Sequence, residues 1–90
     1  MTPTRAEATS LMEKHITNEA LRHHSRMVGT ALEAYAKKLG EDSELWYITG
    51  VLHDVDWEEY PDEHPNKAVQ EWLNDYPDKV KEAIKAHAPE

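Results

Sequence analysis

Proline stands only at positions 3, 61, 65, 77 and 89, and the chain holds just three glycines. Proline breaks a helix interior and glycine weakens it, so long stretches between the prolines are open to helices. Apolar residues fill them at spacings of three and four, and no alternating β-branched run or Asn-Gly hairpin signal competes. The spacing predicts a first helix from about Pro3 to Ile16, capped by Thr2, with Ala8, Leu11, Met12 and Ile16 inward. Thr17-Asn18 reads as a break and a new N-cap. A second helix then spans Glu19 to Leu39, with an apolar stripe of Leu21, Val28, Ala31, Leu32, Tyr35 and Leu39, and ends at Gly40.

Asp42 or Ser43 caps a third helix over about Glu44 to Asp54, with Leu45, Ile48, Val51 and Leu52 on its apolar side. Gly50 in its middle points to a close helix contact. Residues 55–64 have no period and read as a loop. Pro65 opens a fourth helix with Ala68, Val69, Trp72 and Leu73 on one side, and Pro77 a fifth with Val80, Ala83 and Ile84 inward. The expectation is a single all-α domain over residues 1–90, a compact bundle of about five helices.

Size and charge narrow the functions. Hydrophobic residues are 39% of 90, so the core is thin. The net charge of −8 argues against nucleic acid or an anionic membrane as partner. No apolar run is long enough to span a bilayer, and residues 1–10 lack the apolar segment of a signal peptide. With no cysteine there are no disulfides or thiolate metal sites, which fits a cytoplasmic protein.

Six histidines in 90 residues need a reason. His15 reads as a surface or capping residue and His23 as a bystander at the stripe's edge. His24 is three after Leu21 and four before Val28, which places it on the buried stripe. His53-Asp54 sits at the end of an apolar helix, between Leu52 and Val55. A buried carboxylate needs a partner: a divalent cation, a neighbouring histidine or Arg22. His64 precedes the helix opened by Pro65, and His87 is three after Ile84 on an inward face. Separate buried imidazoles would each need partners, whereas one metal site accounts for four of them together. Imidazole with carboxylate suits Zn, Mn, Fe or Ni, with Mg as a further candidate.

The ordered series His24, His53-Asp54, His64-Pro65-x-x-Ala68, His87 resembles the HD-domain superfamily of metal-dependent phosphohydrolases. "RHHSRMV" is similar to its first-histidine helix and selects His24 over His23. "GVLHDVD" is similar to its signature segment, "EHPNKA" to its His-Pro-x-x-Gly segment and "AIKAHA" to a later histidine segment. The resemblance covers about residues 18–90. It implies an all-helical fold with His24, His53 and Asp54 as metal ligands. His64 and His87 stand where dinuclear members hold a second metal and where mononuclear members keep histidines near substrate. The family's last ligand, an Asp well downstream of the His87 segment, has no counterpart before Glu90, since Asp75 and Asp78 precede His87. The chain therefore reads as an HD domain shortened at its C-terminus, with apolar surface left for a homodimer or helix-exchanged oligomer.

The chemistry implied is hydrolysis of a nucleotide or other small phosphate ester. A divalent ion lowers the pKa of its water and polarises a phosphoryl oxygen. Asp54 would orient the water, and Arg22, Arg26 and above all Lys67 are candidates to meet the phosphate charge. Asp56 stands where many members carry Gly, and the acidic-aromatic loop Asp56–Tyr60 reads as a solvated cover packed by Trp57. Two other readings stand beside this one: an interaction module of the same fold without turnover, and a metal held for stability alone.

Overall fold

The computed structural model describes residues 3–64 and 66–87, without the side chains of 86 and 87. Thr2 and Pro65, expected as a cap and a helix start, lie outside the described residues. The chain is all-helical, as expected. Helix α1 (Arg5–His15), α2 (Glu19–Leu39) and α3 (Ser43–Leu52) come first. A 3-10 turn (Pro61–Glu63), a π-helical segment (Ala68–Trp72) and α4 (Asp78–His87) follow. The described residues contain no strand and no helix long and apolar enough to cross a membrane.

Each start has a local cause. Thr4 caps α1 in a reciprocal box with Glu7. Asn18 caps α2 by accepting from the Leu21 amide, and Asp42 caps α3 through the Leu45 amide. Gly40 ends α2 at φ 75°, a conformation that glycine adopts without penalty. The fourth helix expected from the sequence is a π-turn, closed by the Leu73 amide on the Ala68 carbonyl at 2.9 Å. Helix α3 ends at Leu52, so His53 and Asp54 lie in the following turn and not inside the helix.

The core gathers Ala8, Met12 and Ile16 from α1, Ile48, Val51 and Leu52 from α3, Val55, Ala68, Leu73, Tyr76, and Val80 and Ile84 from α4. Helix α2 is the exception. Half of its expected stripe faces out: Leu21, Val28 and Leu32 are partly buried, Leu21 against the core, but Tyr35 is 56% and Leu39 53% exposed, and Ala31 is exposed too. Instead α2 buries Ser25, Gly29 and Ala36. The reason is Gly50. A Cβ there would lie 2.6 Å from Gly29 Cα, so the two helices cross backbone against backbone. Ala83, also expected inward, is exposed.

A Gly50→Ala variant has no side chain to push aside, because its nearest neighbours are the Gly29 and Val28 backbones. It should lose about 2 kcal/mol of stability, read from urea unfolding. A loss below about 0.5 kcal/mol would contradict the close crossing.

Glu58 anchors the loop after α3 to the start of α2. Its carboxylate accepts from the Thr17 and Asn18 amides and the Thr17 hydroxyl, at 2.7–3.2 Å. These bonds, led by the Thr17 hydroxyl, hold its pKa below the usual range. A depressed carboxylate adds stability above its unfolded pKa and loses it as pH falls through the folded value. Glu33, held low by Arg5, acts in the same direction. Replacing Glu58 by Gln should therefore flatten the fall in the urea midpoint between about pH 6 and pH 3. An unchanged slope would show that Glu58 carries none of it.

Candidate metal centre

Three titratable side chains meet where α3 runs into its turn. His53 caps α3, and its Nδ1 lies 2.6 Å from the Gly50 carbonyl. A carbonyl only accepts, so Nδ1 carries the proton and donates. The other nitrogen, Nε2, is left 3.0 Å from Asp54 Oδ2. From α2, His24 Nε2 approaches the same oxygen at 3.8 Å. One donor atom from each of His24, His53 and Asp54 lies within 4.8 Å of the others. Two imidazoles and a carboxylate that close suit a divalent transition metal. The backbone bond on His53 is the orienting contact that metal-binding histidines usually have.

His53 is largely buried. Burial opposes its charged form, but the bonds to Asp54 and Gly50 and the Asp54 charge outweigh that, and its pKa is raised.

His64 joins from the other side. Its Nε2 is 3.3 Å from Asp54 Oδ1, and its Nδ1 is 2.6 Å from Asp56 Oδ1. Asp56 is only 1% exposed, and its other oxygen accepts from the Ala68 amide at 2.9 Å. One buried carboxylate thus orients His64 and receives the π-helical segment. The sequence reading treated Asp56 as a departure in a solvated loop. Its place next to the apolar Val55 was the sequence signal of a structural role.

Other sequence expectations fall differently. The His24 side chain is 53% exposed, so it reaches Asp54 from the edge of α2 and not from a buried stripe. The shift follows from the Gly29–Gly50 crossing, which turns the small-residue face of α2 inward. His87 lies in α4, and its side chain is outside the described part. Arg22 does not serve Asp54: its guanidinium donates to the Ile16 and Glu13 carbonyls, closing the C-terminal end of α1. Arg26 pairs with Glu13 at 3.6 Å. The Lys67 ammonium lies 3.0 Å from Glu71 and 4.4 Å from the centre of the Tyr60 ring. His23 is exposed. His15 is not a simple cap: its ring stacks on Trp72 at 3.7 Å and meets Glu59 at 2.8 Å.

An open cleft of about 600 Å³ begins at His24, with Leu21, Trp57, Glu58 and Pro61 among its walls. Trp57 is 49% exposed, and its ring stands at 81° to that of His64, 5.4 Å between centroids.

A small all-helical domain with a His/His/Asp group able to hold a metal at the end of a central helix is thus defined by fold and site together. The HD domain model matches residues 21–90, and the chain belongs to the HD domain family, whose members are generally metal-dependent phosphohydrolases. Neither the curated proteins nor the solved structures gave a match.

Proposed function

We propose that the protein is a metal-dependent phosphohydrolase acting on a small phosphate ester. The observation that carries the reading is the convergence of His24 Nε2 and His53 Nε2 on Asp54 Oδ2, with His53 Nδ1 fixed on the Gly50 carbonyl. His24, His53 and Asp54 would hold one ion of Mn, Zn, Ni, Fe or Mg. When bound, such an ion supplies a water of lowered pKa and a Lewis acid for the phosphoryl oxygen.

The protein's own groups do the rest. Hydrolysis adds water to phosphorus, breaks the bond to the leaving oxygen, and yields inorganic phosphate and an alcohol. Asp54 turns one oxygen to the two imidazoles and the other to His64. That second oxygen can orient the water and take its proton. His64, with Nδ1 held by Asp56, keeps Nε2 turned to the site, where it can pass a proton toward the leaving oxygen or bond the phosphate.

Turnover of a generic aryl phosphate that appears with Mn, is lost to a chelator and returns with added metal would support this. Metal bound at one ion per chain with no turnover would leave a metal-stabilised module instead.

A second reading rests on the α2 surface. Met27, Tyr35 and Leu39 are each more than half exposed on one helix, and side chains of this kind favour a second copy of the chain as partner. Light scattering at micromolar concentration should then give a dimer mass; a monomer mass would remove this reading.

A further inference from the structure

The cleft that starts at His24 is unlike a site for a highly charged phosphate. Among its described lining residues, Ala20, Leu21, Trp57 and Pro61 are apolar, Glu58 is acidic, and none is Lys or Arg. The basic residues of the neighbouring sequence are engaged elsewhere. Arg22 holds two carbonyls at the end of α1, Arg26 pairs with Glu13, and Lys67 pairs with Glu71. Six of the 18 acidic residues, moreover, fall between positions 53 and 63. A phosphate placed at His24 could be balanced by the metal and the imidazoles there. Further phosphates along the cleft would meet a carboxylate and hydrocarbon.

The same walls favour another kind of leaving group. Trp57 has half its surface open, while its indole is fixed against the His64 ring in an edge-on contact. A fixed, half-open indole beside the reacting phosphate is a stacking platform for a planar ring. We propose that Trp57 is the specificity-determining residue of this cleft. It selects phosphate monoesters with a planar, uncharged leaving group over aliphatic monoesters and over substrates with several phosphates. This rests on the metal-dependent reading above. In the reaction, water adds to phosphorus, the bond from phosphorus to the aryl oxygen breaks, and that oxygen leaves with a proton as the neutral hydroxyl compound.

The test is calorimetric binding to the Mn-loaded full chain, which needs no turnover. The probes are 1-naphthyl phosphate, glycerol 2-phosphate and fructose 1,6-bisphosphate. The naphthyl ester should bind about tenfold tighter than the glycerol ester, a ratio typical of one stacked ring, and the bisphosphate should gain nothing from its second phosphate. Trp57→Ala should abolish the naphthyl preference without changing glycerol 2-phosphate binding or Mn stoichiometry, and Trp57→Phe should restore most of it. An equal loss for both monoesters, a preference that survives Trp57→Ala, or tightest binding by the bisphosphate would overturn the proposal. Metal analysis of the same samples separates the failures. Without bound Mn at saturation, the phosphohydrolase reading falls and takes this one with it; with Mn bound and no Trp57-dependent preference, only the inference on Trp57 falls.

Discussion

His53→Ala should cost the protein its metal. Removing even the outer partner of a metal-binding histidine typically costs about 10–100-fold in affinity, and removing the ligand itself should exceed that range. Equilibrium dialysis against Mn or Zn should show about one ion per chain for the parent protein and none for the variant at the same free metal. His53 is the informative position because both its nitrogens are assigned by geometry: Nδ1 to the Gly50 carbonyl and Nε2 to Asp54. His24→Ala should weaken binding less, since that side chain is half exposed and its nitrogen is 3.8 Å from the carboxylate. His23→Ala should leave affinity alone, because His23 is not part of the group that can hold an ion. Equal affinities for the His53 variant and the parent would place any metal elsewhere.

The second large effect should come from Asp56, and on stability. Its carboxylate is buried, with one oxygen on His64 Nδ1 and the other on the Ala68 amide. Asp56→Ala would leave a buried ring nitrogen and a buried amide without their acceptor. Leaving a buried donor without its acceptor costs about 1–3 kcal/mol, and with two donors orphaned about 3 kcal/mol is expected here, measured by urea unfolding of the chelated protein. Asp56→Asn keeps one acceptor for one of the two donors and should lose about 1–2 kcal/mol. A loss under about 0.5 kcal/mol for the alanine variant would mean that the loop and the π-helical segment are held by other contacts. Because His64 Nε2 faces Asp54, the same variant should also loosen the site from its far side.

Much of the fold was legible because its punctuation is local. Asn18, Gly40 and Asp42 mark the ends of helices through their own side chains or backbone, so reading α2 and the start of α3 needed no tertiary information. The buried face of α2 was not legible in that way. Hydrophobic spacing named Ala31, Tyr35 and Leu39, which are exposed, while the helix turns its smallest residues inward because Gly29 meets Gly50 at backbone distance. Gly50 signalled a close contact; only the structure supplied its partner. Nor was the contact that holds the start of the π-turn legible, since the Ala68 amide is fixed by a carboxylate twelve residues earlier.

The candidate site divides along the same line. The order of His24, His53-Asp54 and His64 was readable from the sequence, and the structure brings the three histidines to the one Asp54 carboxylate. Charged partners were harder to read. Arg22, Arg26 and Lys67 offered positive charge by position alone, while their guanidinium and ammonium groups are engaged by Glu13, Glu71 and the carbonyls ending α1. Asp56 looked like a blemish in a motif and is a buried support of His64. A long side chain's partner depends on the whole fold, and a buried carboxylate declares itself only when its donors are seen.

The most direct measurement is the anomalous scattering of a crystal grown with Mn. The account predicts one strong peak within coordination distance of His24 Nε2, His53 Nε2 and Asp54. A peak held by other residues, or no peak at saturating Mn with these three side chains in place, would contradict it.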